Sequence, residues 1–555
     1  MISQLISTTR RRLTRRQIVL SPVVLMAVTT LFVLLVDNRT FWSTGADVFR
    51  GQTLALVGIG GAVYFLTLAV FSAFALPWVV KPFAIFILIL SSVSSYYMDN
   101  LGVFIDRNMI QNVMVTTVNE SKHLITLDFL SHVLIYGIVP SLVVALGIKI
   151  KKQRKLVMFG APVAVAALSV LLTVGLLFTN YKDYSAVVRA KRDFMGSYQP
   201  GAPLVGTVRY ASMVGKTLNV VAQPIGQDAV KGPSYDKRDK PSLTILVVGE
   251  TARAQNFSLN GYAVDTNPEL SKLPILNFDN VSSCGTATAV SLPCMFSKFG
   301  RADYTFEKGL ANQNVLDVLS NADVNVEWWD NNTGDKGLAA RIPTRSFSVG
   351  PDSEFCRAGE CDDGVFLENL RTYAEGITKD TVLVFHQIGT HGPAYYLRYP
   401  PELEKFKPAC RTSEFKKCTR QEIVNTYDNT IAYTDKVLAE TIRFLQSQDD
   451  LSASLLYMSD HGESLGEGGV YLHGTPYFMA PEEQTKVPMI LWMSDKFENQ
   501  FNIMSDCLSG KTSSALSQDN LFHSLLGMLD IKTDEYNENL DFFASCKGQK
   551  QVSLQ

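Results

Sequence analysis

The chain has 555 residues, a formal net charge of −2, 46% hydrophobic residues and 19% charged ones. That length exceeds what one hydrophobic core organises, so at least two domains are expected. A near-neutral balance with no basic stripe interleaved with aromatics argues against nucleic acid as a partner.

Composition changes near residue 180. Before it, five apolar runs at 17–37, 52–80, 82–98, 125–148 and 156–178 each approach the ~20 residues needed to cross hydrocarbon. Arg10, Arg11, Arg12, Arg15 and Arg16 precede the first run, and Lys149, Lys151, Lys152, Arg154 and Lys155 follow the fourth. Both groups belong on the cytoplasmic side, and an odd number of crossings then places everything after residue 180 outside the cytoplasm. The first run reads as a retained anchor, because it is long and no A-x-A-like site closes it. Asp128, in the fourth run, is expected at its outer end, within reach of the interface.

Between the third and fourth runs, Asn112, Thr116 and Glu120 stand at i, i+4 and i+8 in a stretch that can be helical, so they would share one face. Such a stripe suits either a lipid headgroup or plain solvation, and spacing does not choose between them. Residues 181–240 read as a connecting region broken by Pro200, Pro203 and Pro224. The expected organisation is a five-span membrane domain over 1–180, this connector, and a soluble catalytic domain over 241–555.

All eight cysteines lie in the second half. Their number and close spacing favour disulfides in an oxidising compartment: Cys284 with Cys294, Cys356 with Cys361, Cys410 with Cys418, and by elimination Cys507 with Cys546.

Four short apolar runs in this half each end on polar residues suited to catalysis. Leu243–Val248 leads to Glu250, Val324–Trp329 to Asp330 and Asn332, Val382–Phe385 to His386 and His391, and Leu455–Met458 to Asp460 and His461. Helix-like stretches lie between them, which predicts a mostly parallel sheet sandwiched by helices, with ligands bound beyond the carboxyl ends of the strands. Glu250, Asp460 and His461 form an oxygen and nitrogen ligand set suited to zinc or manganese, and His473 follows in a glycine-rich loop. A metal so held would act as a Lewis acid on a phosphoryl oxygen, so a hydroxyl nucleophile should stand beside it. Thr286, Thr288 and Ser291, between Cys284 and Cys294, are the candidates, and spacing leaves all three open. Asn332, Lys336, His391 and His473 are candidates for holding the phosphoryl group or a second ion.

Val247-Val-Gly-Glu-Thr-Ala-Arg253, Cys284-Gly-Thr-Ala-Thr288, Thr390-His-Gly-Pro393, Ser459-Asp-His-Gly-Glu-Ser464 and Leu472-His-Gly474 together resemble the lipid A phosphoethanolamine transferases. That family includes the mobile colistin-resistance enzymes and is a branch of the alkaline phosphatase and sulfatase superfamily. The resemblance implies zinc held by Glu250, Thr288, Asp460 and His461, one ion bound firmly and a second position available, with Thr288 as nucleophile. It assigns Asn332, Lys336, His391 and His473 to phosphoethanolamine binding or a second zinc, and Asn112, Thr116 and Glu120 to the lipid donor. It implies an inner-membrane monomer with a cytoplasmic N-terminus and a periplasmic catalytic domain. The implied reaction moves phosphoethanolamine from phosphatidylethanolamine to lipid A through a phosphothreonine-type intermediate, conferring resistance to polymyxins such as colistin. The sulfatase nucleophile pattern C-x-P-x-R is missing, because Pro293 is followed by Cys294 and Met295. Transfer to another glycan, phosphoglycerol transfer and a membrane-tethered phosphatase are the rival readings.

Overall fold

A computed structural model describes residues 17–548 apart from 117, 191, 237–239, 348–353 and 358–359. The arginine run at 10–16 and Lys237, Arg238 and Asp239 of the linker lie outside the described residues. The chain forms two compact units, one of residues 1–110 and 125–209, the other of residues 111–124 and 210–555. The helical unit therefore continues past residue 180 to Arg209, and the 111–124 segment belongs with the globular unit.

Among the described residues of the helical unit, Thr53–Ser72, Val80–Leu101, Leu127–Gly147 and Lys155–Thr179 are long and apolar enough to cross a membrane. The first expected span is instead a pair of helices, Pro22–Val36 and Arg39–Val48, bent by 65°, so five spans are reached only if the pair counts as one. The bend falls at Asp37 and Asn38, where the Asn38 amide donates to the carbonyls of Val33 and Gln199 at 2.9 Å each and so offers the backbone an alternative to continued helix. Asp128 stands in the first turn of its helix, capped by Thr126. Leu134, Ile135, Leu171 and Phe178 are exposed on the last two long helices, as side chains facing hydrocarbon would be.

The globular unit is built on an eight-stranded sheet. In chain order its strands are β1 (Ser242–Gly249), β2 (Leu276–Ser282), β3 (Asn325–Asp330), β4 (Thr344–Ser346), β5 (Thr381–His386), β6 (Ser452–Ser459), β7 (Lys486–Met493) and β8 (Leu516–Ser517). The spatial order is β8-β2-β7-β6-β1-β5-β3-β4. Every neighbouring pair is parallel except those of β7, which runs against both β2 and β6, so the sheet is mixed. The four runs read from the sequence become the adjacent strands β6, β1, β5 and β3. They were legible because central parallel strands are buried on both faces and are therefore continuously apolar.

Alternate residues serve opposite faces. Leu246, Val248, Val384 and Leu456 pack against α1 (Thr288–Met295), α2 (Val315–Asn321) and α5 (Leu521–Met528) in one core. On the other face lie α3 (Gly364–Ala374), whose Phe366 stacks on Phe385 with ring centroids 4.7 Å apart, and α4 (Arg420–Gln446). The α4 helix starts at a Thr419–Glu422 capping box and buries Tyr427, Ile431 and Leu438. Register aligns Gly249 with Ser459, and His386 with Asp330, so the polar residues that follow the strands emerge at one edge. The structure contains the three disulfides expected from the spacing and the fourth, Cys507–Cys546, expected by elimination.

Candidate active site

Glu250 leaves β1 and Asp460 and His461 leave β6 at that edge, and all three are buried. One ligand atom from each lies within 4.8 Å of the others. The turn after Glu250 requires a left-handed residue, Thr251, at φ 53°. It is held there: its N–H donates to Asp460 Oδ1 at 3.2 Å, and its carbonyl accepts from the Tyr427 hydroxyl at 2.7 Å. Gly389 approaches from the loop after β5 at φ 50°, where a Cβ would stand 2.8 Å from the Glu250 carbonyl oxygen.

Thr288 is the first residue of α1, at the positive end of the helix dipole. Its hydroxyl donates to Glu250 Oε1 at 2.9 Å and lies 3.3 Å from His461 Nε2. The other two candidate hydroxyls are directed elsewhere. Thr286 donates to the Thr475 carbonyl at 2.6 Å, and Ser291 donates to the Asp460 carbonyl and to Gln518.

The donor set fits a cation. His461 Nδ1 donates to the Gly462 carbonyl at 2.9 Å, which leaves Nε2 with its lone pair toward the carboxylates. Burial, reinforced by the nearby His473, pushes the His461 imidazole well below its ordinary range, so it is neutral. Burial also raises the Asp460 carboxyl to about 6, against the backbone hydrogen bonds it accepts. Asp460 Oδ2 is buried without a hydrogen-bond partner, 3.3 Å from His461 Nε2. Two lone-pair atoms that close repel unless a proton or a cation lies between them.

Asn332, on the loop after β3, donates through Nδ2 to Glu250 Oε2 at 2.7 Å and to the Gln387 carbonyl at 2.8 Å. Lys336 stands four residues on at φ 50°, its ammonium held by the Thr333 carbonyl and hydroxyl at 2.7 Å each. The rings of His391 and His473 are 5.6 Å apart, and His473 is 4.5 Å from His461, so three imidazoles line one side of the site. Glu463 Oε2 lies 2.9 Å from His473 Nδ1 and so orients that ring.

The Asn112, Thr116 and Glu120 stripe does not lie on one continuous helix. The helix Arg107–Val115 ends before Thr116, and a second helix covers Val118–Leu124. The Thr116 hydroxyl donates to the Asn112 carbonyl at 2.7 Å. Val113, Val115, Thr116, Thr117 and Val118 also form a β-branched run of low helix propensity. The side chain of Glu120 lies outside the described residues.

Residues 242–531 match the sulfatase family model, and residues 63–213 match that of the phosphoethanolamine transferases EptA and EptB. The chain is 40% identical over 476 residues to phosphoethanolamine transferase EptA of Escherichia coli strain K12, covering 85% of this chain and 86% of that one. It is 35% identical over 541 residues to the Escherichia coli phosphatidylethanolamine transferase Mcr-1, covering 94% and 97%. The solved structure of the integral membrane protein lipooligosaccharide phosphoethanolamine transferase A from Neisseria meningitidis superposes with a TM-score of 0.91 at 36% identity, covering 94% of this chain and 98% of that one. The chain belongs to the phosphoethanolamine transferase family.

Two features of this transferase were given no role from the sequence, although Asp330 and His386 were named there as polar residues closing apolar runs. Asp330 Oδ1 lies 2.8 Å from His386 Nδ1, and His386 Nε2 lies 3.2 Å from the Asn332 amide that donates to Glu250. Burial opposes ionisation of Asp330, but the bond to His386 outweighs it and holds the carboxyl below its ordinary value. Both residues end predicted strands, and a polar group closing an apolar run was the available signal. Gln518 gave no such signal. It is fully buried, accepting from the Cys284 N–H at 2.6 Å and the Ser291 hydroxyl at 2.9 Å, and donating to the carbonyls of Ser459 and Asp460 at 2.8 and 2.7 Å. It joins the segment bearing Thr288 to the strand end bearing Asp460.

Proposed function

We propose that this phosphoethanolamine transferase takes its group from phosphatidylethanolamine and places it on lipid A by a zinc-dependent double displacement through Thr288. The observation that carries this reading is the Thr288 hydroxyl, 2.9 Å from Glu250 Oε1 and 3.3 Å from His461 Nε2 at the start of a helix. Glu250, Thr288, Asp460 and His461 would hold the ion, which supplies Lewis acidity toward a phosphoryl oxygen and lowers the pKa of a bound hydroxyl. One firmly held ion accounts for this set, and His391 and His473 offer nitrogen ligands to a second. Thr288 gives up its proton toward Glu250 Oε1 and attacks the donor phosphorus; as the Oγ–P bond forms, the P–O bond to the glycerol breaks, and the glycerol oxygen keeps the electron pair and takes up a proton as diacylglycerol leaves. An oxygen of a lipid A phosphate then displaces Thr288 and carries phosphoethanolamine away. Lys336, His391 and His473 meet the phosphoryl oxygens, Asn332 fixes Glu250, and Asn112, Thr116 and Glu120 handle the donor headgroup.

In this reading the chain is an inner-membrane monomer with its N-terminus in the cytoplasm and its catalytic domain in the periplasm. Four disulfides in the globular unit and the lysines and arginine at 149–155 support that orientation. The added amine offsets negative charge on the outer leaflet and weakens attraction of cationic peptides such as colistin. Mass spectrometry of lipid A from a host expressing the gene and fed labelled ethanolamine tests donor group and acceptor together. Label on lipid A is expected. Label confined to another glycan, or release of free phosphoethanolamine, would replace this reading with another acceptor or with a phosphatase.

A further inference from the structure

The 111–124 segment packs as part of the globular unit, and it is tied down at both ends. At one end Gln111, only 4% exposed, donates through Nε2 to the carbonyl of Ala289, the residue after Thr288, at 3.4 Å. At the other end Lys122 Nζ and His123 Nε2 reach Glu360 Oε1 at 3.4 and 3.3 Å. The second oxygen of Glu360 accepts from Arg398 Nη1 at 2.8 Å, and Nε of the same guanidinium donates to the carbonyl of His391 at 3.1 Å. Glu360 is itself fixed in the hairpin closed by the Cys356–Cys361 disulfide. Gln111 thus ties one end of the segment to the helix of Thr288, and Glu360 and Arg398 tie the other end to His391.

Isolated surface ion pairs contribute little, but this one differs. The Arg398 side chain is 2% exposed, and Glu360 gathers three basic side chains from two separate parts of the chain. Such a charge-assisted cluster is strong enough to hold a segment in place. Holding is needed here, because the segment consists of the end of the helix Arg107–Val115 and the short helix Val118–Leu124, not one long helix. A group transfer requires donor and nucleophile in near-contact geometry, and a loose carrier of the headgroup would forfeit much of that advantage.

We propose that residues 111–124 form a brace that presents the donor phosphate between Thr288 and His391, and that Glu360 is the positioning residue that fixes its far end. This rests on the reading of Asn112 and Thr116 as groups that meet the donor headgroup. Glu360 touches neither substrate nor metal in this scheme. Its effect falls on how often the donor is aligned, not on the bond-breaking step.

The test uses the full chain reconstituted in vesicles of phosphatidylethanolamine and phosphatidylglycerol with lipid A, and in parallel the p-nitrophenyl ester of phosphoethanolamine as a small soluble donor. Glu360→Gln should raise KM for the vesicle donor about tenfold, the loss of one charge-assisted contact. Turnover of the soluble ester should stay within about twofold, since it needs no brace. Deuterium uptake over 118–124 should rise in the same variant. Lys122→Ala, at a half-exposed position that does not threaten folding, should shift both readouts in the same direction by less. An unchanged vesicle KM in Glu360→Gln while Asn112→Ala is impaired would overturn the brace and leave the donor site standing. Full activity of both variants would overturn the donor site as well. Equal losses of kcat on both donors with unchanged uptake would reduce Glu360 to a support for His391 and also overturn the proposal.

Discussion

Replacing Gln518 by leucine keeps the volume of a fully buried side chain and deletes all four of its hydrogen bonds. The Asp460 carbonyl retains the Ser291 hydroxyl, so the main losses are the Cys284 N–H and the Ser459 carbonyl. At about 1–3 kcal/mol for each buried group left without its partner, the cost is about 4 kcal/mol. For a unit of this size that lowers Tm by about 5 °C. Thermal unfolding of the detergent-solubilised chain, followed by the fluorescence of the buried Trp328 and Trp329, reads this directly. Gln518 also fixes the spacing between the Thr288 segment and Asp460, so transfer measured well below the melt should fall about a hundredfold, as displacements near 1 Å do in such sites. A melt within about 1 °C of the parent, a shift worth less than about 1 kcal/mol, together with parental transfer would refute the reasoning.

Thr288→Ala should abolish modification of lipid A, read by mass spectrometry, while Thr286→Ala loses only the bond to the Thr475 carbonyl, about 1 kcal/mol of stability, and stays active. Glu250→Ala, Asp460→Ala and His461→Ala should each purify with less zinc by elemental analysis; unchanged content in all three would remove the proposed site. Burial opposes ionisation of Glu360, but the His123 hydrogen bond and the Arg398 guanidinium prevail and pull its carboxyl from 4.5 to about 2. Its contribution to stability is therefore complete above pH 4.5 and lost as pH falls toward 2, so acid unfolding of Glu360→Gln should lack that part of the pH dependence. Parallel acid-unfolding curves for the variant and the parent would contradict the assignment.

The sequence by itself determined the two-part plan, the three closely spaced disulfides, four strands and the residues that follow them. Each of those rests on a local rule: apolar length, cysteine spacing, or an apolar run closed by a polar residue. Even the transferase motifs are local strings. Spacing left Thr288, Thr286 and Ser291 open and the resemblance pointed to Thr288; the fold adds which acceptor stands opposite each hydroxyl. The fold also brings in Gln518, which is 230 residues from Thr288 in sequence and becomes important only when β8 and α5 set it beside β6. Periodicity also gave Asn112, Thr116 and Glu120 a shared helical face, whereas the helix that carries Asn112 ends at Val115. The surroundings of these hydroxyls and of Gln518 came only from tertiary structure, because they are set by long-range pairing of buried polar groups, whose partners no stretch of sequence contains.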